Sequence, residues 1–104
     1  MMAAELDQAA ATATREAAIV LSGELTIYGV AEVKTRVLEG IASGVHTIDL
    51  TGVSEIDSAG LQLLCAARHS IRAAGGAAKV IGANAALQDA AAALGMARVV
   101  ADAI

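Results

Sequence analysis

Apolar positions change period several times along this chain, and each change marks an element. "AAIVLSG" (17–23) is a short apolar run closed by Ser22 and Gly23, the pattern of a strand. "ELTIY" (24–28) follows as a loop or strand extension. Val30, Val33, Val37, Leu38 and Ile41 then recur at helical spacing. Glu32, Arg36 and Glu39 occupy the other side, and Ser43-Gly44 stops the helix. "VHTIDLTG" (45–52) alternates, with Ile48 and Leu50 facing one way and Thr47, Asp49 and Thr51 the other. That is a strand with one covered face. After "VSEIDSAG" the spacing predicts a helix over 58–74. Leu64, Ala67, Ile71 and Ala74 form its inner side; Gln62, His69 and Arg72 form its outer one. Gly75-Gly76 ends it, and "AAKVIGA" (77–83) is a third strand. Asn84 is a good N-cap for a helix over 85–95, closed by Gly95. "ARVVADA" (97–103) adds a short strand or a last turn. Residues 1–16 show no clear period and form a poorly defined N-terminal segment before a domain at 17–104.

Strand and helix therefore alternate, which forces crossover connections and a mostly parallel sheet. The polar second face of "HTIDLT" places the helices mainly on one side. The expected class is α/β, a small layered domain and not a doubly wound one.

Composition narrows the function. Hydrophobic residues make up 57% of the 104, yet Trp and Phe are absent and Tyr28 is the one aromatic, so aliphatic residues must build the core. A net charge of −4, with seven scattered Lys and Arg, argues against nucleic acid as a partner. The single Cys65 excludes an internal disulfide and suits a cytoplasmic location. No apolar run reaches the roughly 18 residues a membrane helix needs. The glycines match no nucleotide-binding loop, and His46, His69 and Cys65 are too few and too dispersed for a metal. No cofactor is expected.

Ser58 is the candidate residue. It stands where strand 45–52 gives way to a helix, at the carboxyl rim of the sheet where α/β proteins gather function. One reading is an ordinary helix cap at Ser58 or Asp57. Nucleophilic catalysis lacks a base. His69 lies eleven residues along the same helix, about 16 Å away, and His46 is about 20 Å back along the strand. A phosphate acceptor is chemically reasonable, because phosphate would add about −1.5 to −2 charge beside Asp57 and Glu55. Tyr28 reads either as a partner anchor or as a core residue at a strand–helix junction.

"IDLTGVSEIDSAGLQLL" resembles the signature of the STAS domain, the family of bacterial anti-sigma factor antagonists. "LSGELTIYGVAEVK", "AAKVIGAN" and "LGM" agree with it in order, over residues 17 to 96. The wording is most similar to small stand-alone members associated with chemotaxis genes. The resemblance implies a mixed, mostly parallel sheet of four to five strands, with helices mainly on one face. It implies no catalysis. It implies phosphorylation of Ser58 by a partner, an anti-sigma factor that is a serine kinase or another signalling protein, and loss of binding when phosphate is present. Carried over, the partner surface is Glu24, Leu25, Thr26, Asp57, Ser58, Ala59, Gly60 and Gln62, with Gly60 allowing close approach. Another branch of the family resembles this chain too, and docks constitutively on the ATPase of a lipid-transport ABC complex.

Overall fold

The computed structural model describes residues 18–100. In chain order they form β1 (Ile19–Leu25), α1 (Val30–Ala42), β2 (Thr47–Ile56), α2 (Ser58–Ala73), β3 (Lys79–Ile81), α3 (Ala85–Ala93) and a 3-10 turn at Ala97–Val99. The strands lie in the order β1-β2-β3, and both pairings are parallel. Parallel neighbours need long crossovers, which α1 and α2 supply.

The mixed sheet of four to five strands expected from the sequence is not what these residues form: they give three strands, all parallel. Residues 1–16, the segment set apart above, lie outside the described residues. The "ARVV" stretch turns instead of extending. Met96 N–H donates to Ala91 O at 2.8 Å and Val99 N–H to Met96 O at 2.9 Å, which folds it back against α3.

β2 is longer than its alternation suggested, running on to Ile56. Its buried positions are Ile48, Leu50 and Val53, so the period slips from two to three after Leu50. One of the two register shifts between β1 and β2 falls at that place, where the ladder passes from Val20↔Asp49 to Ser22↔Gly52; the other follows between Gly23↔Val53 and Glu24↔Glu55. An irregularity of this kind inserts a residue and reverses inside and outside. Ser54 and Glu55 thus belong to the strand.

The core is aliphatic. Leu21, Leu25, Ile48, Leu50, Leu61, Leu64, Ile71 and Leu87 are all essentially inaccessible. Leu38, expected inside, is half-exposed. A Cβ at Gly40 would meet Ile19 Cγ1 at 2.5 Å, so α1 rests on β1 along Val33, Val37 and Gly40, and Leu38 is turned toward the cleft beside α2. Ala74 is also exposed, because it is the C-cap of α2; the inner face instead begins one turn earlier, at Leu61. Asn84 caps α3 as expected, accepting Leu87 N–H at 2.9 Å. The other side of the sheet carries Val20 and Ile81, both exposed, which agrees with helices packed mainly on one face.

Candidate functional site

β1 and β2 end level with each other, Leu25 opposite Ile56, and both then turn into helices. β3 stops opposite Asp49. Ile56 lies seven residues beyond that point, about 23 Å farther along the sheet. The carboxyl rim therefore consists of two loops, 26–29 and the junction at Asp57, with the third set well back.

Asp57 and not Ser58 caps α2. Its extended backbone leaves Oδ1 to accept Gly60 N–H at 3.0 Å, satisfying one of the helix's unpaired donors. Its Oδ2 accepts Ile27 N–H, also at 3.0 Å, from the loop after β1. Asp57 N–H donates to Leu25 O at 3.3 Å. One residue thus ties both loops together. Those bonds, first from Ile27 and then from Gly60, hold its carboxyl below the usual aspartate range.

Gly60 completes the junction. It is buried, and a Cβ there would stand 2.1 Å from Leu25 O and 2.9 Å from Leu25 Cγ. The glycine lets α2 approach the end of β1, so the close approach it serves in this chain is internal. Leu25 is likewise buried, and both residues support the rim from beneath. Thr26 makes the turn, its carbonyl accepting Gly29 N–H at 2.9 Å and Val30 N–H at 3.0 Å, while its Oγ1 is sealed from solvent.

The outward surface consists of Glu24, Ser58 and Gln62, all exposed, with Asp57 and Ala59 partly so. Ser58 is the first residue of α2 and its hydroxyl takes no part in the cap. Beside these stand Ile27 and Tyr28, exposed by 63% and 94%. Tyr28 is therefore no core residue. Ile27 was not singled out by sequence reasoning; the available signal was an apolar pair inside a loop. The double role of Asp57 was equally hidden, since its second partner lies thirty residues away.

His46 and His69 do not join the site. His46 lies against Gly76, beyond the C-terminus of α2 and opposite to the rim, and His69 is exposed on the outer side of α2. Among the described residues, no group of three His, Cys, Asp or Glu is placed to hold a metal, and no helix is long and apolar enough to cross a membrane.

A family model described as "Mlab, STAS domain" matches residues 7–101. This chain belongs to the STAS domain family. The match takes in residues 7–16, ahead of the domain boundary expected from the sequence. STAS domains are generally non-catalytic modules that act by binding other proteins, and the exposed rim of this STAS domain suits that role. No curated protein is matched by the chain.

Proposed function

We propose that this STAS domain is a cytoplasmic regulatory module, similar to an anti-sigma factor antagonist, whose binding to a partner protein is switched by phosphorylation of Ser58. The observation that carries the reading is that Ser58 is exposed at the rim and left out of a cap that Asp57 already provides. A serine needed only for capping would be using its oxygen.

The partner is an anti-sigma factor that is also a serine kinase, or a related signalling protein. In the transfer, an Oγ–P bond forms at Ser58 and the bond from phosphorus to the nucleoside diphosphate breaks. The hydroxyl proton passes to a base of the kinase. The product is a dianion at the rim. Segments 22–33 and 52–66 hold Glu24, Glu32, Glu55 and Asp57 and no Lys or Arg, so those segments offer it no cation. No side-chain cation of these segments neutralises it, and an unneutralised charge opposes burial of the apolar Ile27–Tyr28 pair against a partner.

Affinity capture from native lysate, with wild type, Ser58→Ala and Ser58→Glu side by side, tests the reading. Ser58→Ala retains the partner constitutively, and Ser58→Glu loses it at least in large part. If both variants recover what wild type does, the switch is wrong.

The Ile27–Tyr28 pair also favours a second reading, because an apolar contact works whether or not phosphate is ever added. In that case the chain is a constitutive subunit on the ATPase of a lipid-transport ABC complex. Recovery of a transporter ATPase equally by all three forms selects it.

A further inference from the structure

The regulation of this rim can be taken one step further, on the reading that Ser58 is phosphorylated. The two carboxylate oxygens of Asp57 serve different elements. Oδ1 holds the start of α2 at Gly60 N–H, and Oδ2 holds the turn after β1 at Ile27 N–H, each at 3.0 Å. The start of the turn is packed at Thr26, whose Oγ1 is sealed from solvent, but its tip is not. The side chains of Ile27 and Tyr28 extend into solvent, so packing does not secure them. Its other backbone bonds, from Gly29 and Val30 N–H to Thr26 O and from Val33 N–H to Gly29 O, lie within the turn or lead into α1, and none of them holds Ile27 N–H.

Ser58 is the adjacent residue and the first of the helix. A phosphate there brings three strong acceptor oxygens and about −1.5 to −2 charge to N–H groups that now receive one carboxylate oxygen. A helix N-terminus favours the more highly charged anion. Two anions on neighbouring residues also repel, and the carboxylate is the weaker competitor.

We infer that Asp57 is the positioning residue through which phosphate on Ser58 acts on the Ile27–Tyr28 turn. The phosphate takes over the N-terminal donors of α2, the Asp57 carboxylate leaves them, and Ile27 N–H loses its acceptor. Phosphorylation then does more than add charge beside the partner surface; it also loosens the apolar part of that surface.

The full chain alone suffices for the test. Tyr28 is its only aromatic residue, so its fluorescence reports that turn without interference. Amide exchange by NMR follows Ile27 and Gly60 separately. Asp57→Asn keeps one acceptor for Gly60 N–H but replaces the second with an amide that only donates. In Asp57→Asn, and in the chain phosphorylated at Ser58, the Ile27 amide exchanges faster by on the order of ten-fold or more. The Gly60 amide stays protected in both, and Tyr28 anisotropy falls in both. Phosphorylating Asp57→Asn adds no further loosening. A phosphorylated chain whose Ile27 exchange and Tyr28 anisotropy equal those of the unmodified chain overturns the inference. If that chain nevertheless loses its partner, the Ser58 switch stands and only the Asp57 link fails. If the turn loosens and the partner still binds, the link stands and the switch fails. Should Asp57→Asn not fold, comparison of the phosphorylated and unmodified wild-type chains decides alone.

Discussion

At the scale of single residues, the site is built by a short side chain and an absent one. Gly60 shows how magnitudes settle a choice that propensity alone gets backwards. Replacing a helix-interior glycine with alanine ordinarily gains up to about 1 kcal/mol. Here the new methyl would meet the backbone oxygen of Leu25 at 2.1 Å, and a backbone atom cannot rotate away as a side chain can. Overpacking of this kind costs about 1–3 kcal/mol, occasionally more. Gly60→Ala is therefore expected to be destabilising on balance, with a lower urea midpoint and a more exposed Ser58 junction. A midpoint at or above that of wild type would show that α2 can slide off β1 without penalty. Gly60 was legible in the sequence as a residue that requires close approach. What approaches was not legible, because Leu25 is thirty-five positions away and joins the site only through β1–β2 pairing.

At the scale of elements, periodicity located the three helices and three strands of the described residues, and it erred where a second element decides the facing. The period of α1 admits both Val37 and Leu38; contact of Gly40 with Ile19 selects Val37 and leaves Leu38 half-exposed. The run of β2 past Gly52 was hidden because the register shift beside β1 breaks the alternation that identifies a strand. The cap at Asn84 was legible, and that of α2 as a choice between Ser58 and Asp57, since N-capping chemistry is local. These assignments give a paired prediction. Leu64 is inaccessible in the middle of α2, and Leu64→Ala is expected to cost about 2–5 kcal/mol, a large share of the stability of so small a domain. Leu38→Ala leaves no closed cavity and is expected to cost well under half of that. Equilibrium urea unfolding of the two variants measures the difference. Equal losses would mean that α1 is rotated from the orientation described.

For the whole molecule, charge is distributed unevenly along the fold. Segments 22–33 and 52–66, which supply the rim, carry four acids and no Lys or Arg; all seven Lys and Arg of the sequence lie outside those two segments. Within the rim, Glu24 and Glu55 are register partners on adjacent strands, and both are exposed. Like charges directly opposite each other destabilise a sheet, by some tenths of a kcal/mol at exposed positions. The free chain therefore holds a repulsion that salt should relieve. Between about 10 mM and about 300 mM NaCl the Debye length falls from about 30 Å to under about 8 Å, which screens the pair. Glu24→Gln removes the repulsion at every ionic strength. Its Tm is expected to exceed that of wild type by one or two degrees in low salt, and the gap should close as salt is added. The difference between the two proteins matters more than either curve, because salt also weakens the favourable contacts of the Asp57 carboxylate, and those are common to both. A constant gap would mean that the gain comes from packing or strand propensity. A gap of opposite sign would mean that Glu24 has a cationic partner and that the rim is less uniformly acidic than its two segments indicate. If the gap does close, the surface offered to partners is one that repels added negative charge even before a second protein arrives, and that is the background on which a phosphate at Ser58 would act.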